Sequence, residues 1–457
     1  MDYISITPDQ REQMLEAIGV KSIDELFAAL PPESRFDAEL DLPPAASELA
    51  LQRRLADLAT SNTGVNDLPS FLGAGAYDHF YPSFIDQLIL RGEFLTAYTP
   101  YQAEASQGSL QAFFEFQTQI ARLTGLDIAN ASLYEGASAV AEAVTLAVNV
   151  TGKRRVLVAS TLHPDERWVL ATHLQDLPVE MVTLPAGENG LISPAVVQEH
   201  ADHDTACIVV KSPNVFGLIE DWSALFSTFQ NAAATKGVRP LNIAVFNPTA
   251  CALLKPPGAC GADLAAGEGQ PLGIPVQFGG PYLGLFAARQ EYLRKLPGRL
   301  VGQTADAAGR RAFCLILQTR EQHIRGAKAT SNVCTNQGLL ALRATMYMSA
   351  MGPAGLRTVA EQCWHKAHWL AARIAELDGY SLRYDSDFFH EFVVRCPKPA
   401  RDIVAACRNR GVLAGVDLSH ERVSRIGAEN ELLIAVTEKR TRDEMEDLLT
   451  ALREAAK

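Results

Sequence analysis

The run NIAVFN at residues 242–247 is the stretch on which the fold turns. Residues 243–246 are apolar in succession, so a strand built from them has no polar face and must be covered on both sides. VLVAS (156–160) and ACIVVK (206–211) have the same character. Between these runs fall helical stretches at Pro164–Leu174 and Trp222–Lys236. Short doubly buried strands alternating with helices predict an α/β class with a mostly parallel sheet and crossover helices. FGGPYLGLFAA (278–288) predicts one more strand after a tight glycine turn.

Outward from this core, residues 45–150 read as helical, with Gly/Pro-rich loops at 73–82 and 98–108. The amino terminus carries two capping boxes. Thr7-Pro8-Asp9-Gln10 opens one helix that Gly19 stops, and Ser22 with Glu25 opens a second that ends at Pro31-Pro32. Their apolar stripes are too short to be stable alone and must clasp something larger. Toward the other end, a long helix near 355–377 leads to short strands LRYD, EFVVRC, VLAGVDL and LLIAVT, with helices near 399–410 and 441–455. The expected division is a helical clasp at 1–45, a large α/β domain at 46–350, and a small carboxy-terminal α+β domain at 351–457.

Composition narrows the function. The 457 residues carry a net charge of −12 with 21% charged residues. That acidic balance disfavours nucleic acid and anionic membranes as partners. No apolar run reaches the ~20 residues that span a bilayer, and the polar start lacks the order of a signal peptide, so cytoplasmic location is the expectation. The eight cysteines are scattered without C-x-x-C spacing, which predicts idle thiols rather than a metal site.

Four segments concentrate possible chemistry. Glu135-Gly136-Ala137-Ser138-Ala139 starts a helix with small residues whose N–H groups can approach an anion, though small residues there also serve packing. YTPYQAEASQG (98–108) crowds Tyr98, Tyr101, Gln102 and Glu104 into a stretch stiffened by Pro100. TREQHIRGAKATSN (319–332) gathers Arg320, Glu321, His323, Arg325 and Lys328, a pattern equally that of a solvated helix face. GEGQPLGIPVQFGGPYLG (267–284) is dense in glycine and proline, costly to order unless its backbone shape matters.

The segments YTPYQAEASQGSLQAFFEFQTQIARLTGLDIANASL, LLKPPGACGADLAAGEGQPLGIPVQFGGPYLG and TREQHIRGAKATSNVCTNQGL resemble the glycine decarboxylase P-protein. The likeness is to its separate amino-terminal subunit, subunit 1, and extends to the opening YISITPDQREQMLEAIGVKSIDELFAALP. It implies a pyridoxal-phosphate enzyme of fold type I, with a seven-stranded large domain and a small carboxy-terminal domain. The implied reaction decarboxylates glycine and transfers the aminomethyl group to the lipoyl arm of a carrier, the H-protein.

Such a site needs a Schiff-base lysine and an acid opposite the pyridine nitrogen. Here Asn247 stands at the expected acid position and Gln270 at the expected lysine position, with no lysine between Lys255 and Lys295. The resemblance then implies that a companion, subunit 2, carries the lysine and the cofactor. Tyr98, Tyr101, Glu104 and His323 become candidates for catalysis across the interface, and Gln102, Arg320 and Arg325 for substrate binding. Two other readings stay open: a free-standing pyridoxal aminotransferase or lyase using Lys255, and a non-catalytic stabilising subunit.

Overall fold

The computed structural model describes residues 5–36, 38, 40–96, 99–234 and 237–457. They divide into two compact units, Met1–Thr63 and Gly64–Lys457.

The first unit holds α1 (Pro8–Ile18) and α2 (Glu48–Ala59), so the helix expected to open the large domain groups here instead. The Thr7 box is complete: the Gln10 N–H donates to Thr7 Oγ1 and the Thr7 N–H donates to Gln10 Oε1. Gly19 closes α1 at φ 85°. The Ser22 box forms only one 3₁₀ turn, Asp24–Phe27, because Pro31-Pro32 follow before an α-helix can propagate. Neither α1 nor α2 buries a side chain, and Met14, Ile18, Leu51, Leu55 and Leu58 stay exposed.

The second unit begins with helices α3 (Phe84–Ile89), α4 (Gly92–Leu95) and α5 (Gln107–Thr124), then β1 (Ile128–Ala129) and α6 (Gly136–Thr151). Next come β2 (Arg155–Ala159), α7 (Pro164–Leu174), β3 (Glu180–Leu184), α8 (Pro194–His200) and β4 (Thr205–Ser212). After α9 (Trp222–Ala232), whose expected last residues lie outside the described ones, follow β5 (Leu241–Phe246), β6 (Leu264–Glu268) and β7 (Gly284–Ala288). Together they form a seven-stranded sheet in the order β1-β7-β6-β5-β4-β2-β3. Its pairings are parallel from β3 through β6, and antiparallel where β7 meets β6 and β1.

The doubly covered strands are what their composition requires. Leu157, Ile208, Val210, Ala244 and Phe246 enter one core with α5 and α9, while Val156, Val158, Val209, Ile243 and Val245 enter another with α6. β6, which reads LAAGE, escapes a pattern search because alanine and glycine carry little strand signal. β3 is an edge strand with exposed positions, and β1 is only two residues long.

A hairpin, β8 (Leu300–Ala305) with β9 (Arg311–Ile316), follows, then α10 (Gln322–Arg325) and the long helix α11 (Gly338–Ala375). α11 is broken at Gly352, φ 60° and ψ 178°, just before Pro353. Beyond it β10 (Ser381–Leu382), β11 (Glu391–Arg395), α12 (Ala400–Asn409), β12 (Val416–Asp417), β13 (Glu431–Ala435) and α13 (Arg442–Ala455) build a four-stranded antiparallel sheet, order β10-β11-β13-β12. Its own core includes Leu370, Ile374, Phe392, Ile434 and Leu448. The segment at 69–71 pairs with it, since the Phe71 N–H donates to Leu413 O and the Ala435 N–H donates to Phe71 O. No helix among the described residues is long and apolar enough to cross a membrane.

Candidate active site

In a parallel sheet, ligands gather at the carboxyl ends of the strands. Here those ends are Asn247 after β5 and Glu268–Gln270 after β6, facing the start of α6. Gln270 is buried at 1% exposure and fully bonded. Its Oε1 accepts from the Tyr77 N–H at 2.9 Å, and its Nε2 donates to Tyr77 O at 2.9 Å and Ile274 O at 2.7 Å. Asn247 Oδ1 accepts from the N–H groups of Thr249 and Ala250. Both side chains act on backbone.

The start of α6 is occupied by the protein itself. Glu268 Oε2 accepts from the Gly136 N–H at 2.9 Å, and Oε1 accepts from the N–H groups of Gln270 and Leu283, each at 2.9 Å. A Cβ on Gly136 would lie 3.0 Å from the Glu268 backbone, so a larger residue would have to push β6 back by a few tenths of an ångström. The place an anion would take at this helix start is therefore held by an internal carboxyl group.

What remains is a cavity of about 20 Å³ lined by Gly75, Tyr77, Lys211, Asn247, Glu268 and His390, among others. Its charged groups are partnered: Lys211 Nζ pairs with Glu166 at 2.6 Å, and Tyr77 OH donates to Glu391 Oε2 at 2.6 Å. Small-molecule pockets hold roughly 300 Å³ or more, whereas a cavity of this size has room for about one water molecule. Pyridoxal phosphate does not fit here. The Gly136 amide is taken by Glu268, the free space is small, and the one lysine lining it, Lys211, is paired with Glu166.

Burial pushes the Glu268 carboxyl up to about 7, against the three N–H groups that favour its ionised form. Burial likewise raises Glu142 to about 7, opposed by Ser331. Between their ordinary value of 4.5 and about 7, both acids hold protons in the folded chain that the unfolded chain releases. Stability they permit is therefore full below pH 4.5 and falls as pH rises toward 7. Glu142→Gln removes one such site, so its thermal midpoint should match the parent's at pH 4.5 and exceed it at pH 8. The linkage there is on the order of 3 kcal/mol. Equal midpoints at both pH values would rule the account out.

The polar loops are only partly brought together. Tyr98 lies outside the described residues. Tyr101 is exposed, its ring 5.9 Å from that of His323, and its hydroxyl accepts from Arg299 Nη2 at 3.4 Å. Gln102 and Glu104 are exposed; hydrogen bonds from the Glu104 backbone and from Gln102 hold the Glu104 carboxyl below the usual range. Arg325 is exposed on α10. Arg320 does not suit the substrate role expected of it: it is buried, and its guanidinium donates to the carbonyls of Leu317, Leu296 and Gly298. It is a clamp on the turn before β8.

Arg299 escaped sequence reasoning, although PGRLVG at 297–302 places it between a left-handed Gly298 (φ 70°) and a strand. Tyr77, Glu268 and the histidines also went unnoticed, because their partners lie far along the chain. The fold also gathers His79, Cys363 and Glu438, whose spacing shows no ligand pattern. They bond one another in part: His79 Nδ1 meets Glu438 at 2.7 Å and the Cys363 thiol donates to Glu438 at 3.3 Å, while His79 Nε2 is buried without a partner.

The large sheet with a small antiparallel companion is the fold of type I pyridoxal-phosphate enzymes. A glutamate decarboxylase of Lactobacillus brevis shares it at TM-score 0.68 and 13% identity, over 93% of this chain and 95% of that one. Within that class the kinship is specific: residues 1–452 match the family "Glycine cleavage system P-protein", and the chain belongs to it. It is 49% identical over 450 residues to the probable glycine dehydrogenase (decarboxylating) subunit 1 of Thermomicrobium roseum, covering 98% of each. The like-named Chlorobium limicola protein is 48% identical over 99% of each chain. A crystal structure of an inhibitor-bound glycine decarboxylase (P-protein) of the glycine cleavage system matches at TM-score 0.90 and 41% identity, over the whole of both chains.

Proposed function

We propose that this chain is subunit 1 of a glycine dehydrogenase (decarboxylating), active only with a companion subunit that bears the Schiff-base lysine and pyridoxal phosphate. The observation that carries this is the Glu268 carboxylate at the start of α6, with Gln270 and Asn247 spent on backbone: the fold of a cofactor enzyme whose own cofactor place is filled. In the complex the cofactor supplies the electron sink for the carbanion. This chain supplies walls and polar groups around glycine and the lipoyl arm of the H-protein, with Tyr101 and His323 at the polar mouth and Gln102, Glu104 and Arg325 around it; Tyr98 remains a candidate from the sequence alone. The helical clasp at 1–45 grips the companion through its exposed apolar stripe, and the large and small domains divide near residue 350. The setting is the cytoplasm.

An absorption spectrum tests this. The lone chain mixed with pyridoxal phosphate should stay colourless and give no borohydride-trapped adduct, and glycine decarboxylation should appear only on adding subunit 2. A trapped adduct on the lone chain would restore the free-standing reading and point to Lys255. In the active complex, Tyr101→Phe removes one hydroxyl worth about 1 kcal/mol, so kcat/KM for glycine should fall roughly 5–10-fold. Unchanged kinetics would exclude Tyr101 from the site.

A further inference from the structure

Arg299 is a buried cation without a buried anion. It is 3% exposed. Among the described residues its guanidinium donates to Thr335 Oγ1 at 2.8 Å, to Cys334 O at 3.1 Å, and weakly to Tyr101 OH at 3.4 Å, and it forms no ion pair. Nε is buried with no partner at all. The other deeply buried arginines differ in their acceptors, although Arg343 and Arg440 also keep buried nitrogens without a hydrogen bond. Arg343 pairs with Asp86 and Arg440 with Asp78, while Arg320 spreads its donors over three carbonyls. A desolvated charge left with an open donor costs several kcal/mol unless something completes it.

The open donor has a direction. Nε and Nη2 form the side-on edge of the guanidinium, whose two parallel N–H groups match a planar carboxylate. On that edge Nε is open, while Nη2 donates to Cys334 O at 3.1 Å and makes the longer contact to Tyr101, whose ring centroid lies 5.4 Å from the guanidinium carbon. Tyr101 is itself 56% exposed, so it covers the cation while remaining free to swing. Behind the edge the geometry is rigid. The Ala131 N–H donates to Arg299 O, and Arg320 clamps the carbonyls of Leu296 and Gly298 just before it. Two residues ahead of Tyr101, the Thr99 hydroxyl is also buried without a partner.

We propose that Arg299 binds the carboxylate of the amino-acid substrate through this edge, with Tyr101 as its cover. The proposal rests on the subunit 1 reading, which supplies glycine as that substrate. Arg299 would orient the carboxylate, and its hold would distinguish an amino acid from a plain amine.

The experiment uses the assembled complex with its companion and follows the cofactor spectrum on adding glycine or methylamine, the same amine without a carboxylate. Arg299→Gln should weaken glycine binding roughly 30–100-fold and leave methylamine within about twofold, as expected for the loss of one charge-assisted hydrogen bond. Arg299→Lys keeps the charge, guards against failure to fold, and should weaken glycine about tenfold with methylamine again unchanged. In the parent complex acetate should compete with glycine and not with methylamine. Equal weakening of both amines, or of neither, in both variants would overturn the assignment; equal weakening would mean that Arg299 serves the cofactor's phosphate or the assembly instead. A parent complex that does not decarboxylate glycine would overturn the subunit 1 reading, a separate result.

Discussion

Replacing Gln270 by lysine leaves the lone chain colourless with pyridoxal phosphate and makes it markedly less stable. Gln270 both accepts from and donates to the Tyr77 backbone, and it also donates to Ile274 O. An ammonium group cannot accept, so the Tyr77 N–H loses its partner in a site with 1% exposure. A buried unpaired charge is added to that loss. Together the cost is on the order of 4 kcal/mol, read as a lower thermal midpoint. Nor does the new amine find an aldehyde, since Glu268 holds the amides that a phosphate would need and the cavity is about 20 Å³. A yellow, borohydride-trapped Gln270→Lys chain of unchanged stability would sink this account.

Glu438→Gln should be nearly as damaging, and in a way that depends on pH. Glu438 ties the segment at 79–80 to the end of β13. Its Oε1 accepts from the Phe80 N–H at 2.7 Å, and Oε2 meets the His79 ring at 2.7 Å. Burial by itself would raise its carboxyl, but attraction to His79 and the hydrogen bonds from His79 and Phe80 prevail and hold it at about 2. The sign follows from linkage. A carboxyl depressed from 4.5 to about 2 contributes stability that is complete above pH 4.5 and lost as pH falls toward 2. That contribution is on the order of 3 kcal/mol. The amide variant should lose it at pH 7 and show a flatter stability curve between pH 5 and 2. Identical acid unfolding of parent and variant would refute the role.

Strands such as NIAVFN and ACIVVK were legible because burial on both faces removes every polar residue from them. β6 was not, since LAAGE packs through small residues whose strand preference is imposed by neighbours rather than carried in the chain. The absence of a lysine and an acid could be read directly at Gln270 and Asn247. What fills their place could not: Glu268 finds its helix partner 132 residues away, and Tyr77 finds Glu391 314 residues away. Arg320 misled for the same reason. An arginine in a charged run looks free, and only the folded turn at 296–298 shows what its donors serve.

The carboxylate at the start of α6 also bears on how such a chain can change over generations. Glu268 and Gln270 each hold backbone, so replacing either removes a support before any binding can compensate, whereas an aspartate at 247 could keep both backbone bonds that Asn247 accepts. The steps at 268 and 270 therefore go downhill in stability, and the gain arrives only after the last. Under the proposed division of labour between two chains, these ordinary hydrogen bonds would act as a ratchet even where selection for the partnership is relaxed.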